Sequence, residues 1–167
     1  MRVYLPATLG LLARWVAAGV ALVPGDGSAD RGFAVTPALR EWYREADIDE
    51  LEYAAQVDAS IGSLRLLAAD PGVVRRRVIL AADLADEALR PDSLRGRAVV
   101  AVDGPIPISR WASALVDEPE AQATVAAAID ALGLADRGDD DARFAVDEAQ
   151  AHELGWYAVS ELRYLFD

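Results

Sequence analysis

The 167-residue sequence contains no cysteine, lysine or asparagine, and it has one histidine, His152. Without cysteine the chain has no disulfide, no thiolate nucleophile and no thiolate ligand for zinc or an iron–sulfur cluster. Without lysine it has no Walker-type phosphate lysine and no Schiff-base residue. A site built on two histidines of one chain is excluded too. A GC-rich coding sequence explains this composition, because arginine, alanine, glycine, aspartate and valine then replace lysine and asparagine.

Positive charge is also scarce. The formal net charge is −12, from 16 basic and 28 acidic side chains. The resulting field repels nucleic-acid phosphates and anionic membrane surfaces, so we expect neither as a partner. The nearest candidate for a membrane span, residues 9–23, is shorter than the ~18 apolar residues that a span needs, and Arg14 interrupts it. With no basic leader at the start, these features predict a cytoplasmic protein.

The first part of the chain predicts a strand and then a helix. Residues 2–5 form the strand, which ends at Pro6, and Thr8 can cap a helix over residues 9–18. Gly19 is expected to end that helix. The glycine-rich residues 24–32 are interpreted as a mobile loop and not as a phosphate-binding loop, because they follow a helix.

A pair of helices is predicted between residues 36 and 70. Thr36 as N-cap and Pro37 at the first helical position begin the shorter helix. Asp47 or Asp49 begins the longer one, which ends at Asp70 because a proline follows it. The side chains predicted on the buried faces of the pair are Leu39, Trp42, Tyr43, Ala46, Leu51, Ala54, Val57, Ile61, Leu64 and Leu67.

The rest of the chain alternates between strands, loops and one long helix. Strands are predicted at residues 78–82, 98–102 and 111–116, at Phe144 and at residues 154–159. Asp117 and Glu120 predict a capping box at the start of the helix, and Gly133 is predicted to end it. Asp139, Asp140 and Asp141 are predicted to form an acidic loop. Ser160 is expected to cap a terminal helical turn.

This order of elements predicts one α+β domain over residues 1–167. The expected core is a ferredoxin-like βαββαβ arrangement with the helix pair of residues 36–70 inserted in the first crossover. Right-handed crossovers would place the helices mainly on one face of the sheet.

Several segments resemble a family of small actinobacterial proteins that has no assigned activity. The opening segment Met-Arg-Val-Tyr-Leu-Pro-Ala-Thr, residues 1–8, is similar to the start of that family. So are the segments Phe-Ala-Val-Thr-Pro-Ala-Leu-Arg, residues 33–40, Glu-Leu-Glu-Tyr-Ala-Ala, residues 50–55, and His-Glu-Leu-Gly-Trp-Tyr, residues 152–157. The resemblance covers nearly the whole chain and implies a single-domain cytosolic bacterial protein. It implies no catalytic residue.

Three groups of polar residues are candidates for a chemical site. His152 could act in a Ser–His–acid arrangement, but no Gly-x-Ser-x-Gly elbow is present, so a locally hydrogen-bonded histidine is preferred. The acids at 139–141 do not follow the EF-hand spacing, so a solvated acidic surface is preferred to a metal site. The arginines between residues 75 and 97 could grip a phosphate or carboxylate, but pairing with acids of the C-terminal part is preferred. We expect no catalytic residues, no metal and no cofactor.

The helix pair concentrates aromatic and charged residues that binding surfaces favour. These residues are interpreted as core packing, a partner interface or a ligand pocket. The candidate binding residues are Arg40, Trp42, Tyr43, Glu52, Tyr53, His152 and Trp156.

The function that fits these observations is a non-catalytic cytosolic interaction or regulatory protein. It would form a homodimer or bind another protein through the helix pair or a sheet edge. The alternative is a small-molecule-binding protein or a hydrolase-like enzyme that uses carboxylates, Arg40 and His152.

Overall fold

The computed structural model describes residues 1–23 and 31–166. The α-helices of this part are Leu9–Ala18 (α1), Pro37–Trp42 (α2), Ile48–Ala69 (α3), Gln122–Asp136 (α4) and Asp140–Gln150 (α5). The strands are Arg2–Ala7 (β1), Val20–Ala21 (β2), Arg31–Ala34 (β3), Val78–Asp83 (β4), Leu89–Pro91 (β5), Val99–Val102 (β6), Ile106–Pro107 (β7), Trp111–Asp117 (β8) and Leu154–Ala158 (β9). The 3₁₀ helices are Asp86–Ala88, Ile108–Arg110, Pro119–Ala121 and Val159–Phe166.

Seven strands form one sheet in the order β5-β6-β3-β1-β4-β8-β9, and every neighbouring pair is antiparallel. β1 lies in the centre and pairs with β4 along its whole length. β3 pairs with β1 only at Val3 and Tyr4. β2 and β7 form a separate two-stranded sheet. The mixed α+β class is therefore confirmed, and the ferredoxin-like order of strands is not.

Helices cover both faces of the sheet, whereas the sequence placed them mainly on one. On one face Val3 and Leu5 of β1 pack in a cluster with Leu12 and Trp15 of α1. On the other face Tyr4 and Ile79 pack with Leu51, Ala55 and Ala59 of α3. The alternation along β1 is the ordinary two-residue period of a strand. A third cluster joins the second half of α3 to α4 and α5.

The predicted starts of the first three helices are confirmed. The Thr8 hydroxyl accepts a hydrogen bond from the Leu11 amide at 3.2 Å, and Gly19 ends α1 in a left-handed conformation, with φ of 68°. Thr36 caps α2, with Pro37 at its first position. Asp47 and Glu50 form a reciprocal capping box at the start of α3. Each of these bonds joins residues that are close in sequence, so local pattern predicts it.

Several predictions in the last third of the chain are wrong. Asp117 does not cap a helix, because its carboxylate turns inward to Arg77 and a 3₁₀ turn precedes α4. Gly133 lies inside α4, where a Cβ would meet nothing within 4 Å. Asp139 caps α5 by accepting from the Ala142 amide at 2.8 Å, so the acidic segment and Phe144 belong to a helix and not to a loop and a strand.

Two boundaries near the start of the chain also differ from prediction. β1 continues through Pro6 to Ala7, where β3 no longer pairs with it. Of the predicted loop at 24–32, Arg31 and Gly32 belong to β3, and residues 24–30 lie outside the described residues.

Candidate functional site: an aromatic groove beside the long helix

A groove of about 1170 Å³ lies beside α3, on the face of the sheet that α3 covers. Its floor includes Pro6 of β1, Phe33 of β3 and Val99 of β6. Because α3 packs over the central strands, the sheet towards β6 extends beyond the helix and leaves this surface open. We call this surface the aromatic groove. Its lining residues are Pro6, Arg31, Phe33, Leu39, Trp42, Tyr43, Ala46, Asp49, Glu50, Tyr53, Ala54, Val57, Asp58, Ile61, Gly62, Arg65, Leu66, Ala69, Arg95, Gly96, Arg97 and Val99.

The wall formed by α3 approaches the floor closely because it carries a glycine there. A Cβ at Gly62 would lie 3.1 Å from two side-chain carbons of Pro6 and 3.3 Å from the Phe33 ring. Val57 and Ile61, which the sequence predicted on the buried stripe, are half-buried and line the groove. Ala55 and Ala59 pack on the sheet in the core beside them. α3 therefore has apolar side chains on two faces. One face packs on the sheet, and the other, with Val57 and Ile61, lines the groove.

Three aromatic side chains surround the groove and remain exposed. Trp42 is 60% exposed, Tyr43 47% and Tyr53 64%. The prediction that Trp42 and Tyr43 lie on a buried face is therefore wrong. α2 is six residues long, and Leu39 is its buried side chain. Because α2 is so short, it buries the side chain of Leu39, and Trp42 and Tyr43 at its C-terminal end remain exposed beside the groove.

Trp42 has a close partner in the segment that precedes β6. The guanidinium carbon of Arg97 lies 3.5 Å from the centre of a Trp42 ring, which is a close cation–π contact. The Thr36 hydroxyl donates a hydrogen bond to the Arg97 carbonyl, so the start of α2 is tied to the same loop. Arg97 forms no ion pair with any described residue. Within the described part of the chain its N–H groups have no hydrogen-bond acceptor, so they could bind a carboxylate of a ligand.

Asp58 is the acidic side chain of the groove whose ionisation is altered. Burial raises its pKa above the usual value, and the positive charge of Arg97 partly offsets the shift. Asp58 forms no hydrogen bond or ion pair with another side chain in the described part of the chain. It can accept a hydrogen bond from the N–H of a ligand.

The other candidates from the sequence lie elsewhere. Arg40 is exposed on α2 and does not line the groove. Glu52 accepts a hydrogen bond from the Tyr4 hydroxyl at 3.2 Å, which ties α3 to β1. The His152 Nε2 lies 3.1 Å from the Thr124 hydroxyl oxygen. Trp156 is 62% exposed on β9. The structure therefore brings together Trp42, Tyr43 and Tyr53 from the predicted set, and it separates them from the remaining four.

The arginine-rich segment is divided among three environments. Arg95 and Arg97 line the groove. Arg77 is buried against Asp117, and Arg90 pairs with Asp103 at 2.7 Å. The expected pairing with acids of the C-terminal part thus holds for Arg77. The contribution of Arg97 to the site was missed because no local pattern shows that it meets Trp42.

Among the described residues, no group of three or more histidine, aspartate and glutamate side chains is placed to hold a metal ion. None of the described helices has the length and apolar character needed to cross a membrane.

Comparison with models of protein families gives a match over residues 1–166 to DUF6912, a family of unknown function. No curated protein matches the chain. No solved structure matches it either.

Proposed function

The chain belongs to DUF6912, a family of unknown function, and we propose that it is a non-catalytic interaction protein. In this proposal the aromatic groove holds an apolar, carboxylate-bearing segment of a partner polypeptide. The proposal keeps the cytoplasmic location that the sequence predicts and the actinobacterial origin that the family resemblance implies.

One observation carries the proposal: Arg97 is stacked on the exposed Trp42 at the rim of an apolar groove. Tryptophan, tyrosine and arginine are the residue types that most often contribute large binding energies at protein interfaces. Tyr43 and Tyr53 supply two more such side chains beside the stack. The stack holds the guanidinium in place before a partner arrives, so a partner carboxylate would meet a preformed donor.

The dimensions of the groove favour a polypeptide over a small metabolite. Its volume is about 1170 Å³, whereas pockets for small molecules have volumes of about 300–1000 Å³. Apolar side chains of a bound segment would contact Phe33, Val57 and Ile61. The Asp58 carboxylate could accept a backbone N–H of the segment, which a peptide offers at every residue except proline.

The chemistry of the lining also supports binding without catalysis. Among the described residues that line the groove there is no histidine, serine or threonine. Asp49 and Asp58 are separated by ~13 Å along α3, at ~1.5 Å per residue. Paired carboxylates of glycosidases lie about 5–10 Å apart. The Glu50 side chain accepts a hydrogen bond from the Asp47 amide at 2.9 Å, in the capping box.

The test is a selection from a phage-displayed library of random peptides on the wild-type protein. We expect enriched peptides to carry aspartate or glutamate beside an aliphatic or aromatic residue. Isothermal titration calorimetry with a synthetic copy should show Kd raised at least about 30-fold by Trp42→Ala, which corresponds to about 2 kcal/mol for a central interface residue. Arg97→Gln should raise Kd about 10-fold, because it removes the charged donor.

Trp156→Ala is the matched control, because Trp156 is 62% exposed and Trp42 60% exposed on different elements. Its Kd should equal that of the wild type. The proposal is wrong if no enriched peptide depends on Trp42, or if the peptides bind equally well to Arg97→Gln. A dimer in light scattering that Trp42→Ala dissociates would make a second copy of the chain the occupant and would overturn the choice of partner.

A further inference from the structure

β9 lies at one end of the seven-stranded sheet, with β8 on its inner side and no described strand on its outer side. The two ends of the sheet differ in how they are protected. β5, at the other end, is three residues long and contains Arg90 and Pro91. The five residues of β9 contain no proline and no charged side chain. Natural sheets normally protect an edge strand with proline, charged side chains or short length. β9 contains neither proline nor a charged side chain.

The backbone of β9 offers hydrogen bonds to its outer side. The Asp117 amide donates to the Arg77 carbonyl at 3.0 Å, on the β4 side, so the pair Asp117–Leu154 does not exchange hydrogen bonds. The alternation of an antiparallel ladder then makes the pair Leu115–Trp156 non-hydrogen-bonded as well. Leu154 and Trp156 therefore point their N–H and C=O groups away from β8.

The Ala158 amide is the next N–H of β9 that points outward, and it binds a carboxylate. The Ala158 amide donates to the Glu161 carboxylate at 2.7 Å. This contact agrees with the alternation deduced from Asp117, because Ala158 is two residues beyond Trp156. The Glu161 carboxylate thus occupies the outward N–H at one end of the edge. No other described residue hydrogen-bonds to the outward backbone groups of Leu154 and Trp156.

Acidic side chains surround this edge. Glu153 precedes β9 and is exposed, and exposed Glu118 accepts a hydrogen bond from the Tyr157 hydroxyl at 3.2 Å. From residue 111 onward the sequence has 13 acids and 3 arginines. Two copies of this edge would repel each other, whereas a basic segment would be attracted.

We infer that β9 accepts an extended segment of a basic partner polypeptide as an additional strand. The segment hydrogen-bonds to the outward backbone groups of Leu154 and Trp156. Its lysine or arginine side chains lie near Glu153 and Glu118, and an apolar side chain contacts the exposed face of Trp156. This surface belongs to a different element from the aromatic groove and does not depend on the function proposed for it.

The test uses two phage-displayed peptide libraries with the same randomised centre. One library has arginine fixed at both ends, and the other has glutamate. Selection on the wild-type protein should enrich the arginine library at least about 10-fold more than the glutamate library. A synthetic arginine peptide should slow hydrogen exchange of the Trp156 amide at least about 10-fold, because that amide then donates to the added strand.

Three variants test separately how the β9 backbone, the nearby negative charge and the aromatic groove contribute to peptide binding. Trp156→Pro removes an N–H that lies outside the β8–β9 ladder, so the fold should tolerate it while peptide binding is lost. Glu153→Gln keeps the backbone unchanged and should raise Kd about 3-fold, with the effect disappearing in ~0.5 M salt. Trp42→Ala should leave Kd unchanged.

Several results would overturn the inference. They are equal enrichment of the two libraries, unchanged exchange of the Trp156 amide at saturating peptide, and loss of binding in Trp42→Ala. Protection of the same amide by dimerisation alone would identify a second copy of the chain as the strand donor and would reject the basic partner. If Trp156→Pro does not fold, the Glu153→Gln variant and the exchange measurement still decide.

Discussion

Arg77 and Asp117 form an ion pair in which both side chains are 0% exposed. The Asp117 carboxylate accepts from the Arg77 Nε at 2.8 Å, from an Arg77 terminal nitrogen at 2.8 Å and from the Arg77 backbone amide at 2.7 Å. The guanidinium also donates to the His152 carbonyl at 3.0 Å and to the Gln150 side-chain oxygen at 3.2 Å. The pair thus joins β4 and β8 to the connection between α5 and β9.

Asp117→Asn tests how much this pair contributes. The substitution keeps the volume of the side chain and removes its charge, so the guanidinium stays buried without a counter-ion. Breaking a buried pair in this way costs about 3–5 kcal/mol. With a urea dependence of about 2 kcal/mol per molar for a domain of this size, the unfolding midpoint should fall by about 1.5–2.5 M.

The exposed pair between Arg65 and Asp136 is the matched control. It is also bidentate, with distances of 2.8 and 2.9 Å, but its side chains are 53% and 50% exposed. Asp136→Asn should therefore lower the free energy of unfolding by less than about 1 kcal/mol. The two ion pairs have nearly the same hydrogen-bond distances and differ in how far their side chains are buried, so the comparison measures the effect of burial.

Urea unfolding at pH 7, followed by circular dichroism, measures the free energy of unfolding of Asp117→Asn and Asp136→Asn. A double variant, Arg77→Met with Asp117→Leu, is measured in the same way. The double variant should recover part of the loss, because it removes both charges, although the Gln150 and His152 oxygens lose a donor. The reasoning is refuted if Asp117→Asn costs no more than Asp136→Asn, or if the double variant loses at least as much free energy of unfolding as Asp117→Asn.

Two further predictions concern local features of the fold. Gly19→Ala should destabilise the protein by about 1 kcal/mol in thermal unfolding, since φ is 68° at Gly19. Gly10→Ala should stabilise it by about 0.5–1 kcal/mol, because a Cβ at Gly10 meets nothing within 4 Å. Equal effects of the two substitutions would contradict this prediction. Burial raises the pKa of Tyr4 to about 12, against about 10 in the unfolded chain. The contribution of Tyr4 to the free energy of unfolding should therefore be fully present well below pH 10 and smaller by about 1.4 kcal/mol at pH ~11. Urea unfolding of Tyr4→Phe should show a correspondingly smaller fall between these pH values.

Short-range signals explain which parts of the fold could be predicted. The cap at Thr8, the stop at Gly19 and the capping box of Asp47 and Glu50 each join residues within a few positions of one another. The apolar runs that became β4 and β6 were also recognised as strands. Asp117 shows the limit of this method, because its pattern matches a capping box while its carboxylate binds Arg77, 40 residues away.

The candidate site divides in the same way. The sequence indicated Trp42, Tyr43 and Tyr53 from their residue types alone, and all three line the groove. It predicted Trp42 and Tyr43 on a buried face and left open whether they pack in the core or line a binding surface, because helical period identifies a face and does not show what covers it. Asp58 and Phe33 were missed, since neither has a local feature that distinguishes a groove wall from a core position.

The sequence by itself determined the chemistry that this chain lacks, the starts of its first three helices and the apolar strands of its central sheet. The tertiary structure alone decided the strand order, the stack of Arg97 on Trp42 and the burial of Arg77 with Asp117. The physical reason is range. Caps and turns form from hydrogen bonds between near neighbours, whereas a groove, a stack or a buried ion pair exists only after distant segments have packed together.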